Sequence, residues 1–262
     1  MQNIRPAAVA GMFYPAEPWQ LAHDIQQYLT QARLLDLIPK ALIVPHAGYI
    51  YSGAIAATAY ATLRMIAPRI RRVVLLGPTH RVAVRGLALP GVEAFDTPLG
   101  RVMLDAAGAR AIAHLPQVCV SAQAHALEHA LEVQLPFLQS VLTDFSLLPL
   151  AVGMSSADEV AEVLEMVWGG DETLIVISSD LSHYLPYTTA RQVDNETAQS
   201  ILNLRQPIAH DQACGGTPIS GLIVAAKKYH LTPHLLDLRN SGDTAGTRDQ
   251  VVGYASFAFT AE

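Results

Sequence analysis

The chain has 262 residues, of which 51% are hydrophobic and 15% charged, with a net charge of -6; that is enough apolar material for one large core. The acidic balance and the absence of a dense Lys/Arg cluster exclude nucleic acid as a partner, and no apolar run approaches the roughly 20 residues that cross a bilayer. Two cysteines cannot build a disulfide framework, and Met1 to Pro6 is not followed by the apolar stretch of a secretory signal, so a cytoplasmic location is expected.

In chain order, residues 18–31 read as the first helix, with Leu21, Ile25, Tyr28 and Leu29 at helical spacing. A strand over 41–44 follows, then a helix over 53–66 and a strand over 72–76. Residues 127–142 read as a helix, 146–150 as a strand, 157–168 as a helix and 174–178 as a strand. The last part gives a helix over 188–204, a strand over 235–238 and a strand over 251–259, whose alternating aromatic and small residues suit an antiparallel edge. Short β-branched runs alternating with longer Ala/Leu-rich patterns imply an α/β fold. We expect a single domain over 1–262 whose mostly parallel central sheet is flanked by helices.

Three strands end alike: an apolar run, a small or turn residue, then a group able to bind metal or move protons. His46 follows the strand at 41–44, His80 the strand at 72–76, and Asp180 and His183 the strand at 174–178. Open α/β sheets bind ligands in the crevice at those ends, so these four residues are expected to converge. Cys214 precedes Gly215-Gly216-Thr217-Pro218, where Thr217 and Pro218 read as the start of a helix. A thiol there is favoured as thiolate by the helix dipole, the form that ligates metals. Cys119, between Val118 and Val120, reads as an inert buried cysteine.

A rival motif is His125-Ala-Leu-Glu128-His129, which matches the H-x-x-E-H pattern of zinc peptidases, with two histidines one helical turn apart and a glutamate to polarise water. It leaves the strand-end clusters without a purpose.

Taken as an ordered set, several segments resemble the Memo family, including the prokaryotic proteins labelled AmmeMemoRadiSam system protein B. They are Arg5 to Pro15, Val44 to Gly53, Gly77-Pro-Thr-His80, Glu128-His129 with Glu132 to Phe137, Ser178 to His183, and Cys214 to Ile219. The resemblance implies a fold similar to class III extradiol dioxygenases, with a cysteine in place of their carboxylate ligand. It carries over His46, His80 and Cys214 as ligands of one mononuclear metal ion, and His129, Asp180 and His183 as pocket residues. His129 and His183 are then proton carriers, with Asp180 orienting His183.

A soft thiolate with imidazoles suits copper, zinc or iron(II), copper(I) most of all by softness, and the ligand types alone do not choose among them; iron or copper is expected ahead of zinc. The leading expectation is therefore a metal-dependent redox enzyme, a non-haem iron or copper oxidoreductase of unassigned substrate. A non-catalytic protein that binds a peptide or small anion, with Tyr49, Tyr51 and Arg81 near the histidines, is the second reading. A zinc hydrolase built on His125, Glu128 and His129 is the third. The resemblance also implies association with radical-SAM and AMMECR-type proteins in prokaryotes.

Overall fold

A computed structural model of the chain describes residues 3–261. The centre of the main sheet is four parallel strands in the order β2 (Pro39–Val44), β9 (Thr173–Ser178), β3 (Arg72–Pro78) and β8 (Ser146–Val152). Their runs, such as Leu42-Ile-Val44 and Leu174-Ile-Val-Ile177, are apolar at every position because both faces are covered. Side chains alternate between the faces. Leu42, Val44, Val73, Leu75, Leu174 and Val176 pack against one set of helices, whereas Ala41, Ile43, Val74, Leu76, Ile175 and Ile177 pack on the opposite side.

Helices α1 (Pro18–Gln31), α2 (Tyr49–Ala61) and α5 (Leu135–Val141) cover the first face. Helices α3 (Ala106–Ile112), α6 (Ala157–Met166), α7 (Tyr187–Leu202) and α8 (Gly216–Lys228) cover the second. The mixed α/β architecture with a helix-flanked central sheet is thus as expected.

Antiparallel strands extend the parallel centre on both sides. β12 (Val251–Ala261) pairs with β2, with β11 (Leu231–Asn240) and with β10 (His183–Leu185), so it lies inside the sheet rather than at the expected edge. On the far side β4 (Leu87–Leu89) pairs with β8 and β7 (Val118–Val120). A second sheet contains β1 (Ile4–Arg5), β5 (Ala94–Thr97) and β6 (Gly100–Met103). The strands of two to four residues carry too few side chains to show a period.

Two expectations are corrected. Cys119 is exposed, not buried: among the described residues its strand pairs only with β4, so the flanking valines belong to a sheet edge. The helix expected over 127–142 is broken. A short helix α4 (Ala122–Ala126) ends before an irregular turn, followed by a 3-10 turn at Glu132–Gln134 and then α5. Side chains explain the break. Glu128 and Glu132 turn inward to bind N–H groups of distant segments, and Pro136 fits only in the first turn of a helix, where its missing N–H costs nothing.

Candidate metal centre

His46 leaves the end of β2 and is buried. Its backbone N–H donates to Asp180 Oδ1 at 2.8 Å, and its ring Nδ1 lies 2.9 Å from Ser178 Oγ. Ser178 has one hydroxyl proton, donated to the Ala130 carbonyl at 2.6 Å, while Gln134 Nε2 donates to the same oxygen at 2.7 Å. Nδ1 of His46 must therefore be the donor to Ser178, which leaves the lone pair on Nε2. Gln134 is fixed in turn, donating to the Pro45 carbonyl and accepting from Tyr60. Burial, with the neighbouring His129 and His80, holds the His46 ring well below its ordinary pKa and so in the neutral, ligating form.

His80 and His129 share one carboxylate. Glu128 Oε1 is 2.9 Å from His80 Nδ1 and 3.2 Å from His129 Nδ1, and its Oε2 accepts the His80 backbone N–H at 2.6 Å. An ionised carboxylate only accepts, so both rings donate through Nδ1 and turn Nε2 away from it. Burial works to raise the Glu128 carboxyl, but the hydrogen bonds from His129 and His80 outweigh it and hold it well below the usual range. The rings of His46, His80 and His129 have centroids 4.6–5.3 Å apart. One ligand atom from each lies within 4.8 Å of the others.

Cys214 arrives just before the N-cap of α8, and its Sγ is 3.4 Å from His46 Nε2. The expected thiolate is not the resting form without metal. Burial, with the Asp180 carboxylate nearby, pushes the thiol up to about 12, against hydrogen bonds from Ser179 and Gly215 and with Asp180 that act the other way. Its proton faces the His46 lone pair. Tetrahedral coordination with a sulfur at about 2.3 Å and an imidazole nitrogen at about 2.0 Å separates the two donors by about 3.5 Å. The observed separation is close to that figure, so Cys214 and His46 suit neighbouring ligand positions, while the group whose ligand atoms all lie close together is His46, His80 and His129, without Cys214.

Sequence comparison identifies the family. A family model described as Memo-like protein matches residues 5–258. A MEMO1 family protein of Methanosarcina barkeri is 36% identical over 270 residues, covering 97% of this chain and 98% of that one. The chain belongs to the Memo family. A MEMO1 family protein of Aquifex aeolicus is likewise 36% identical over 270 residues, covering 98% of this chain and 99% of its own. Among solved structures, an uncharacterized protein from Escherichia coli K12 aligns with a TM-score of 0.49 at 16% identity, covering 82% of this chain and 98% of that chain.

In this Memo chain the expected partnership of Asp180 with His183 is replaced. His183 Nδ1 lies 2.8 Å from the Leu181 carbonyl, while Asp180 is committed to the His46 backbone. Asp180 and His183 still line, with His129, a cavity of about 390 Å³. Tyr51 lines it too, whereas Tyr49 is buried with its hydroxyl donating to the Val133 carbonyl at 2.8 Å.

His125 takes no part. It is buried at the end of α4 with Nε2 2.7 Å from the Ala88 carbonyl, and His129 lies beyond the helix, so the zinc-peptidase geometry of two histidines on one helical face is not formed. The supporting roles of Ser178 and Gln134 were not foreseen from sequence, because a serine and a glutamine ending apolar runs look like ordinary boundary residues.

The loop bearing Asp180 and His183 is tied to α7 by Asp194, which accepts the Ser182 N–H at 3.0 Å. Gly253 opposite has no room for a Cβ, which would meet the same carboxylate. Burial raises the Asp194 carboxyl to about 6 from an ordinary 3.8. The folded state therefore holds this proton more tightly. Its contribution is complete below pH 3.8 and is lost as pH rises through about 6, amounting to about 3 kcal/mol. Urea unfolding across this range should show that decline, and Asp194→Asn should flatten it; an unchanged slope in the variant would reject the assignment.

Proposed function

We propose that this Memo protein is a metal-dependent redox enzyme whose single ion is held by His46, His80 and Cys214. The observation that carries the reading is the gathering of the His46, His80 and His129 rings with Cys214 Sγ 3.4 Å from His46 Nε2, a separation compatible with two ligands of one ion. When bound, an iron or copper ion would supply redox chemistry at a site with an open coordination position.

The protein's own groups would do the rest. Ser178 and Glu128 hold the imidazoles in the ligating tautomer, His129 and His183 carry protons at the cavity, and Asp180 fixes the backbone of His46. Two free thiols suit a reducing cytoplasm, where we place the protein. Among the described residues no helix is long and apolar enough to cross a membrane.

Metal content is the test. Protein purified without a histidine tag should contain about one ion per chain, and His46→Ala, His80→Ala and Cys214→Ser should each lose at least tenfold in affinity. Because the thiol must give up its proton to ligate, uptake by the wild type should strengthen as pH rises, and Cys214→Ser should lose most of that dependence. Equal metal content in all four proteins would end the proposal.

A further inference from the structure

The walls of the cavity beside His129 point to a ligand class. Phe13, Tyr51, Tyr184 and Tyr254 are among the described lining residues, and Asp180 is the one formally charged side chain there apart from the histidines, with Tyr254 and Asp180 set deep in the wall. None of the described lining residues is Lys or Arg, so no permanently cationic side chain there would pair with a carboxylate or phosphate. Aromatic faces and a carboxylate are the surroundings that recognise organic cations.

Tyr184 adds an independent observation. It has φ of 57° and sits where the pairing of β10 with β12 slips, between His183 opposite Val252 and Leu185 opposite Val251. The left-handed conformation costs a tyrosine about 1 kcal/mol and would cost a glycine nothing. Burial does not repay it, since the side chain is 69% exposed. Bulges re-aim side chains beside binding sites, and this one sets the phenol at the cavity next to His183, with ring centroids 5.8 Å apart.

We propose that this cavity takes an aromatic amine, its ring and protonated nitrogen received by the faces of Tyr51, Tyr184 and Tyr254 and by Asp180. The inference deepens the metal-enzyme reading of the same site and rests on it for the reaction, because His129 and Asp180 belong to both. Calorimetric titration of 2-phenylethylamine and of 3-phenylpropanoate tests it, the pair sharing a ring and differing in the charge of the tail. Both go into protein as purified and after chelator treatment.

The amine should bind about tenfold more tightly than the acid in both preparations. Tyr184→Gly should weaken amine binding about tenfold with a melting temperature equal to or above that of wild type, and Asp180→Asn should narrow the preference for the amine. Equal or tighter binding of the acid, binding of neither probe, or unchanged amine affinity in Tyr184→Gly would overturn the inference. Metal content read on the same samples separates the two ideas: a chain that selects the amine but never loads an ion removes only the metal reading, and one that loads an ion without discriminating removes only this one.

Discussion

Replacing Glu132 by alanine is expected to cost the fold about 3–5 kcal/mol, because it strands a buried arginine. Arg5 Nη1 lies 2.7 Å from Glu132 Oε2, with side chains 4% and 0% exposed. The same carboxylate accepts the backbone N–H groups of Ala8 and Val9 and the hydroxyl of Tyr14. The rest of the guanidinium is spent on the carbonyls of His125 and Glu128, with Phe95 beneath it at 4.8 Å.

Removing the carboxylate thus leaves a desolvated cation and several buried N–H groups with nothing to bind, a failure no water in a closed core repairs. Glu132→Gln should lose less, since its carbonyl oxygen still accepts. A thermal melt should place Glu132→Ala roughly 10 °C below the wild type. A shift within experimental error would show that the pair contributes nothing.

Under the proposed metal reading, Glu128→Ala should act on ion binding and on the fold together. Its carboxylate holds Nδ1 of two imidazoles and also accepts the N–H groups of His80 and Ala130 at 2.6 and 2.9 Å. Losing the partner that orients a metal-bound histidine costs about 10–100-fold in affinity. The two orphaned backbone donors add about 1–3 kcal/mol each to the loss of stability. Chelator competition measures the first effect and urea unfolding the second. If metal affinity is unchanged while stability falls, Glu128 is a structural anchor and not a partner of the ion.

Much of this was legible in the residues. The apolar runs at 41–44, 72–76, 146–150 and 174–178 are the four parallel strands, because a strand buried on both faces has to be apolar throughout. The three strand-end clusters do meet, since parallel strands deliver their C-terminal ends to one edge. What sequence did not disclose depends on contacts distant along the chain. The break at 127–131 is invisible to periodicity, because Glu128 and Glu132 are ordinary helix formers until Arg5 and His80 claim them. The protonation of metal-free Cys214 depends on distant contacts in the same way. Its helix start was visible, but the burial and nearby Asp180 that outweigh that start belong to other segments.

The groups that meet at the centre come from distant parts of the chain, His46 and Cys214 being 168 residues apart. β12, formed still later, is the strand that completes pairing along β2, the support of His46. During synthesis, therefore, the emerging polypeptide carries the imidazoles of His46, His80 and His129 well before the thiol of Cys214. On the proposed metal reading, an ion shared by His46 and Cys214 is captured only once residue 214 has emerged.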